Sequence, residues 1–420
     1  MNSETIFEGL NIYLVGGAVR DELLGRDVIE RDYLVVGSTA KQMIQNGFKQ
    51  VGKDFPVFLH PDTKEEYALA RTERKKGSGY TGFICHAAPD VTIEQDLSRR
   101  DLTVNAMAKS HDGEIIDPYG GQQDINDRVL RHVSSAFVED PLRVLRVARF
   151  AARYHYLGFS IAPETMTLMQ SIVQSGELDS LTAERIWKEF QGSLQEKNPE
   201  VFILTLRECG ALEVLWPELN ALWGVPNPPK WHPEICSGDH TMMVLKRATE
   251  LSEKLSVRFA ALCHDLGKSL TPEEEWPSHR GHEKSGLPLV EAICQRIRVP
   301  NHIKLLALQV CEFHLHVHKA RELKPSTILK LFDKLNAWNK PECFQDFLLT
   351  CLADFQGRKG LENNPYQQRQ FLQQLFKAAK QAIAKPYVEQ GLKGVEIKNA
   401  INRERLNHIK TECDAFIWRD

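Results

Sequence analysis

Two carboxylates, Glu30 and Asp32, stand one residue apart in "ERDYLVVG", where an apolar run that reads as a buried strand begins. Side chains two apart on a strand share a face, so the pair would repel unless a cation lay between them. Hard oxygen donors of this kind suit magnesium, which usually binds through one or two carboxylates and substrate phosphates. A two-metal site activates an attacking hydroxyl and stabilises the leaving oxygens, the chemistry of nucleotidyl transfer. Just upstream, "YLVGGAVRDELLG" supplies a strand, a glycine turn and a short helix. Backbone N–H groups at Gly16 and Gly17 could face a triphosphate there, and Arg20 could pair with it. A dinucleotide fingerprint would need G-x-G-x-x-G, but these glycines are adjacent and the next is Gly25. For the carboxylate pair taken alone, an exposed acidic turn is the plainer alternative.

A second cluster is cationic. Arg143, Arg146, Arg149 and Arg153 fall in "RVLRVARFAAR" with no acid among them, while "LSRRD" and "RTERKKGSGY" add further positive charge. Charge runs usually mark a solvated face. Here the first three arginines recur every third residue along a helical pattern, a ridge able to meet phosphates or base edges. Asp140 precedes Pro141 and the ridge, a good helix cap before a good first helical residue.

The third cluster is rich in histidine. "SGDHTMMVL", "ALCHDLGKSLTP", "RGHEKSG", "CEFHLHVH" and "CLADFQGR" place His240, His264, Asp265, His282, His314 and Asp354 in that order. A lone histidine is usually a satisfied core or surface residue. His264 and Asp265 instead adjoin each other at the end of an apolar helix, where both can reach one metal ion. A support-only histidine fold without catalysis is the alternative.

The elements that must carry these groups follow from the pattern of the chain. Its 420 residues, 42% of them hydrophobic, are enough for roughly three domains with real cores. No apolar run nears the ~18 residues that span a bilayer, and the start has neither a basic flank nor a signal region, so a cytoplasmic protein without membrane contact is expected. Nine cysteines with no C-x-x-C pair read as reduced core residues. A net charge of −3 gives no global sign of nucleic-acid binding, which leaves local clusters to supply it. "VFLHP" and "EEYALART" predict two more strands around the turn "PDTK", and the glycine-rich "KKGSGYTGF" predicts a moving loop. From Asp140 onward the pattern is helical. The proline-rich stretch Trp223 to Glu234 is the clearest linker. "QGLKGVEIKNA" offers a glycine helix start that could meet a phosphate, though a plain turn explains it as well.

Three ordered motifs, "LVGGAVRDELLG…ERDYLVVG", "RRDLTVNA…IIDPYGG" and "EDPLRVLRVARFAARY", resemble the head and neck of the class II tRNA nucleotidyltransferases, the CCA-adding enzymes. The resemblance continues through the histidine-rich region, so it covers essentially the whole chain. It implies an α+β protein: a polymerase β-type head over 1–139, a helical neck over 140–225, an HD domain over 226–357 and a helical segment over 358–420. It further implies that Glu30 and Asp32 hold Mg2+ and are catalytic, with tRNA, CTP and ATP as partners, in a monomer or homodimer. Gly17, Arg20, Arg100, Asp140, Arg143, Arg146 and Arg149 would bind the nucleotide. Many members carry aspartate where this chain has Glu30.

Cytosine and adenine each present an exocyclic amino group beside a ring acceptor, a pattern that a carboxylate and an arginine can meet. Guanine and uracil place a carbonyl oxygen there instead, and a hydrogen-bonding site rejects such a mismatch strongly. The resemblance gives this selecting role to Asp140 and Arg143. In the histidine-rich region, His240, His264, Asp265 and Asp354 resemble the metal ligands of the HD phosphohydrolases. That likeness implies phosphatase, 2′-nucleotidase and 2′,3′-cyclic phosphodiesterase activity supported by Ni2+ or another transition metal. Two other readings stay open at this point: a poly(A) or A-only adding polymerase, and a metal-dependent phosphohydrolase whose N-terminal half only binds RNA.

Overall fold

The computed structural model describes residues 5–51, 57–75, 83–229 and 234–418. They form two compact units, Met1–Ser193 with Val201–Leu215 and Leu194–Glu200 with Trp216–Asp420.

The first unit opens with β1 (Asn11–Val15), α1 (Gly17–Leu23), β2 (Asp32–Val36), α2 (Ala40–Gln45), β3 (Lys49–Val51), β4 (Val57–Leu59) and β5 (Glu66–Leu69). The antiparallel pair β6 (Thr72–Lys75) and β7 (Phe83–His86) follows, then α3 (Ile93–Ser98), β8 (Ala108–Lys109), β9 (Ile115–Ile116) and α4 (Gly121–Asp127). The main sheet runs β3-β4-β5-β2-β1-β8-β9. β2 lies at its centre, antiparallel to β1 with Val15 opposite Asp32, and parallel to β5 with Asp32 opposite Glu66. Alternation along β2 buries both faces of the sheet. Leu34 packs with Val15, Leu97 and Ala106 on one side, and Val35 with Phe48, Phe58 and Tyr67 on the other. Part of the glycine-rich loop expected to move, residues 76–82, lies outside the described residues.

The helical part of this unit holds α5 (Leu142–Tyr154), α6 (Pro163–Gln174), α7 (Ala183–Gln195) as far as Ser193, α8 (Pro199–Glu208) from Val201 onward, and α9 (Ala211–Leu215). Along α5, Val144, Leu145, Val147, Ala148, Ala151 and Ala152 are buried, whereas Arg143, Arg146, Arg149 and Arg153 are half-buried. The helix is therefore a core element with one cationic edge.

The second unit is helical: α10 (Pro217–Asn220), α11 (Ser237–Leu251), α12 (Leu255–Cys263), α13 (His282–Arg296), α14 (Asn301–His318), α15 (Pro325–Lys334), α16 (Pro341–Gln356), α17 (Gln367–Ala379), α18 (Lys385–Glu389) and α19 (Val395–Ala415). Val257 through Cys263 of α12 are all buried, the mark of a central helix, and it packs against α11, α14 and α16. The described part of the proline-rich stretch runs inside this unit. Asn227 is fully buried and its Oδ1 accepts from Ser237 Oγ at 3.0 Å and Lys268 Nζ at 2.9 Å. Gly394 does open a helix, α19, rather than a plain turn. Among the described residues the cysteines are free, and no helix is long and apolar enough to cross a membrane.

One close approach positions the histidine cluster. A Cβ on Gly267 would lie 2.0 Å from the carbonyl oxygen of His282 and 2.6 Å from the nitrogen of Gly286. Only glycine lets the turn after α12 meet the start of α13. Gly267→Ala should destabilise the second unit by about 2–3 kcal/mol through overpacking, read as a lower midpoint in denaturant unfolding; an unchanged midpoint would refute the close-approach argument.

Candidate functional site

A cleft of about 730 Å³ in the first unit brings Gly16, Gly17, Arg20, Glu30, Asp32 and Asp140 together with arginines of α5 and of the segment after α3. Asp32 is the first residue of β2, but Glu30 lies two residues before that strand. The expected pairing on one strand is thus corrected: β2 begins at Asp32, and Glu30 reaches the same cleft from the preceding loop. Both side chains are exposed to the cleft. The pKa of Asp32 is raised, first by the protein mass crowding out water, then by Glu66, with Glu30 adding to the effect against Arg100. Clustered anions that resist ionisation are what a divalent cation relieves. Glu66, the register partner of Asp32 on β5, lines an adjoining depression with Glu30 and Asp32. Its strand was legible in the sequence, but its place beside Asp32 depends on a parallel pairing that no local pattern reveals.

The glycine turn works differently from the expectation. Gly16 has φ of 71°, and its N–H donates to Met107 O at 3.1 Å, so it is spent within the fold instead of facing a phosphate. A Cβ there would also lie 2.8 Å from Arg100 Nη1. Gly17 sits over the Arg20 guanidinium, where a Cβ would be 3.3 Å from Nη2. Arg20 is only 4% exposed. Its Nε and Nη2 donate to the two oxygens of Asp21 at 3.1 and 3.0 Å, its Nη1 donates to Asn105 Oδ1, and the rings of Phe150 and Tyr154 flank it.

Carboxylates stand behind Arg99, Arg100, Arg146 and Arg149. Arg100 Nη2 reaches Asp96 Oδ2 at 3.4 Å, and Arg99 Nη2 reaches the other oxygen at 2.9 Å. Arg146 places Nε and Nη2 both 2.7 Å from Asp101 Oδ2. Arg149 Nε donates to Glu189 Oε2 at 2.6 Å. Arg143 donates instead to main-chain carbonyls, Ala136 O at 2.8 Å and Arg99 O. Burial alone would raise the pKa of Asp101, but the Arg146 guanidinium and the Asn105 amide hold it well below the ordinary carboxylate range.

Asp140 caps α5 by accepting from Leu142 N at 3.1 Å. Its direct charged partner is Arg185 of α7, whose Nη2 lies 3.1 and 2.9 Å from the two carboxylate oxygens. Arg185, Glu189 and Gly192 occupy one face of α7, and a Cβ on Gly192 would be 3.1 Å from Arg149 Cδ. None of the three was singled out from sequence; the only available signal was their spacing of four and three in "AERIWKEFQG".

In the second unit His240 comes from α11, His264 and Asp265 from the end of α12, and Asp354 from α16. All four are buried. His264 Nε2 lies 3.0 Å from Asp265 Oδ2 and 3.7 Å from Asp354 Oδ1; His240 Nε2 lies 3.1 Å from Asp354 Oδ1 and 4.0 Å from Asp265 Oδ2. The structure therefore brings the four expected ligands into one cluster. Burial opposes ionisation of both acids, yet His264 and Lys268 at Asp265, and His318 and His264 at Asp354, hold both carboxyls well below their ordinary range. Lys268 Nζ is 2.6 Å from Asp265 Oδ2, and His318 Nε2 is 2.6 Å from Asp354 Oδ2. Despite the short distances, His264 Nε2 and Asp265 Oδ1 have no hydrogen-bond partner. Orphaned buried donor atoms in a mixed imidazole and carboxylate set fit a transition-metal ion.

Residues 12–131 match the family described as Poly A polymerase head domain, residues 158–222 that described as Probable RNA and SrmB- binding site of polymerase A, and residues 238–338 the HD domain. Among solved structures, one of a CCA-adding enzyme with ATP shares the fold at a TM-score of 0.66 and 19% identity, covering 96% of this chain and 88% of that one. The Thermotoga maritima CCA-adding enzyme complexed with tRNA does so at 0.62 and 18%, covering 99% and 90%. Head, RNA-binding region and HD domain in this order define a tRNA nucleotidyltransferase with an HD domain, and both catalytic folds imply dependence on divalent metal. Two relatives named Multifunctional CCA protein are much closer in sequence. That of Vibrio cholerae is 58% identical over 96% of this chain and 100% of its own length, and that of Aliivibrio salmonicida is 57% identical over 96% and 98%. The chain belongs to the multifunctional CCA protein family.

The Asp101 pairing gives a signed pH test. Its folded pKa lies below the unfolded value of about 3.9, so its stabilisation is complete above that value and is lost as pH falls through the folded pKa. Asp101→Asn should cost about 1–2 kcal/mol at pH 7, discounted because Arg146 keeps solvent contact. Calorimetric melting from pH 7 downward should show the gap to wild type shrinking below about pH 4; a constant gap would assign the loss to packing instead.

Proposed function

We propose that this chain adds and repairs the 3′-terminal CCA of tRNA without a nucleic-acid template, using CTP twice and then ATP. The observation that carries this reading is the single cleft in which Glu30 and Asp32 face the arginine ridge of α5 with Asp140 at its head. The tRNA 3′-hydroxyl attacks the α-phosphorus, a new P–O bond forms, and the bond to pyrophosphate breaks. Glu30, Asp32 and, by its strand register with Asp32, Glu66 would hold Mg2+, which when bound polarises the phosphoryl oxygens and lowers the pKa of the attacking hydroxyl. The longer arm of Glu30 suits a position off the strand.

The chain's own groups do the placing. Gly17 leaves the edge of the Arg20 guanidinium uncovered, and Arg20 and Arg100 are assigned to the triphosphate. Asp140 accepts the amino group of cytosine or adenine, Arg143 meets the adjacent ring acceptor, and Arg146 and Arg149 hold the nucleotide against the ridge. Because these arginines are already oriented, little rotamer freedom is lost when a nucleotide enters. The polymerase alternative shares the head; the HD domain and the close multifunctional relatives favour CCA addition.

The HD cluster supports a second activity, hydrolysis of phosphomonoesters and of 2′- and 2′,3′-cyclic phosphates. His240, His264, Asp265 and Asp354 would hold Ni2+ or another transition metal, which when bound makes water a nucleophile near neutral pH. Water's oxygen bonds to phosphorus, the ester P–O bond breaks, and the departing alcohol takes up a proton.

Purified protein incubated with Mg2+, CTP, ATP and tRNA lacking its last three nucleotides should give 3′ ends that stop at CCA when sequenced. Asp32→Asn should reduce extension by about 10²–10³-fold or more with an unchanged circular dichroism spectrum; adenosine tails alone would favour the polymerase reading. Asp140→Asn replaces one acceptor oxygen with an amide donor and should lower discrimination against UTP and GTP by about 10–100-fold. Strict C and A incorporation by that variant would remove the carboxylate from the selecting role.

A further inference from the structure

Arg258, the fourth residue of α12, lines neither the nucleotide cleft nor the HD cavity, yet it is only 5% exposed. Among the described residues its guanidinium bonds to main-chain carbonyls. Nε donates to Ser252 O at 2.9 Å, Nη1 to Leu194 O at 2.7 Å and Glu196 O at 3.2 Å, and Nη2 to Thr249 O at 3.4 Å. Leu194 and Thr249 lie in the last turns of α7 and α11, Glu196 follows α7, and Ser252 caps α11. Carbonyls at a helix C-terminus lack partners within the helix and carry the negative end of its dipole. Two helix ends therefore converge on one buried cation, which satisfies their carbonyls while they offset its charge.

Side-chain packing does not close this side of the junction. A depression of about 770 Å³, lined by Gln195, Lys197, Leu251, Glu253 and Arg258, opens beside it. The hydrogen bonds of Arg258 are what fix the end of α7 there.

Everything Arg258 holds lies in the second unit, to which Leu194–Glu200 belongs. The helix whose end it holds is continuous back through Gly192, Glu189 and Arg185. Gly192 stands two residues before Leu194, where a Cβ would come 3.1 Å from Arg149 Cδ, and Glu189 Oε2 accepts from Arg149 Nε at 2.6 Å. At 1.5 Å of rise per residue, Glu189 is about 7.5 Å along the axis from Leu194, little more than one turn. A rotation or slide of that last turn would move both the carboxylate and the backbone surface on which Arg149 rests. Arg149 in turn lines the cleft that holds Glu30 and Asp32.

We infer that Arg258 is a positioning residue for nucleotide binding: by holding the carbonyls of Leu194 and Glu196 it sets the end of α7, and α7 sets Arg149 in the cleft. The inference rests on the nucleotidyl-transfer reading above, which assigns Arg149 to the nucleotide. Lysine cannot take over this role. It keeps the charge, but a single ammonium replaces a planar fork of five N–H donors and cannot meet both helix ends.

The test is calorimetric titration of the full chain with α,β-methylene-CTP and Mg2+, without tRNA. Arg258→Lys should weaken binding by about 3–30-fold. In an Arg149→Gln background the same substitution should change binding by less than about 2-fold, because the residue through which it acts is already gone. Val257→Ala opens a cavity at the fully buried neighbour of Arg258 on α12; it controls for general loss of stability and should keep the affinity of the parent. Unchanged binding in Arg258→Lys, equal losses in both backgrounds, or an equal loss in Val257→Ala would each overturn the positioning role. A parent that binds no nucleotide would instead overturn the nucleotidyl-transfer reading itself. If Arg258→Lys does not fold, Glu196→Pro carries the same two expectations, since proline there disfavours helix at Gln195 and turns the segment away from Arg258.

Discussion

The head depends on a polar network that begins and ends on α5. Arg146 of that helix binds Asp101; Asp101 accepts from Asn105; Asn105 accepts from Arg20; Arg20 is paired with Asp21, which accepts from Tyr154 at the far end of α5. The loop ties the glycine turn, the segment after α3 and the arginine helix into one object. Asp21, Asp101, Arg20 and Asn105 are all buried, so a missing member would leave a charge or amide without water to replace its partner. A network of this kind fixes relative position more than it adds stability.

Its functional consequence is that cations in the cleft are set before any ligand arrives. Free arginine side chains carry about 2 kcal/mol of rotamer entropy each. Asp96, Asp101 and Glu189 restrict Arg99, Arg100, Arg146 and Arg149 from behind while leaving their edges on the cleft. Preorganised charge costs no rearrangement as charge develops on a phosphate. The second unit applies the same economy to imidazoles: main-chain carbonyls hold Nδ1 of His264, His282 and His314, and each Nε2 is aimed inward. Carboxylates exposed to the head cleft and histidines buried in the HD cluster present hard and mixed donor sets, which separates the ions each can prefer.

What was legible in the sequence was whatever local pattern encodes. The strand before Gly16, the strand after Asp32, the three-residue arginine spacing and the His264-Asp265 pair each lie within about a dozen residues. The head and HD assignments came from the family resemblance that these ordered motifs carry. What was not legible rests on contacts far apart in sequence. Glu66 meets Asp32 only through a parallel strand pairing, and Arg185 reaches Asp140 only because α7 packs beside α5. The spent N–H of Gly16 required knowing where Met107 lies. The proline-rich stretch looked like a linker because prolines lack a donor and disfavour helices, yet Asn227 gives it a buried polar anchor.

Arg185 changes how base selection must be understood under the proposed reading. A carboxylate has two oxygens and about four lone-pair directions. Asp140 uses one direction on Leu142 N and shares both oxygens with Arg185, which leaves capacity for a single amino group of an incoming base. The plane of the carboxylate is then set by α7, not by the helix Asp140 caps. Cytosine and adenine differ in size but present the same amino and acceptor edge, so one carboxylate can serve both if the pocket around it adjusts by small movements of α7 against α5. Under that reading, selectivity for C and A over G and U resides in the hydrogen-bonding pattern at Asp140, and the orientation of that carboxylate resides in the packing that brings Arg185 of α7 to it.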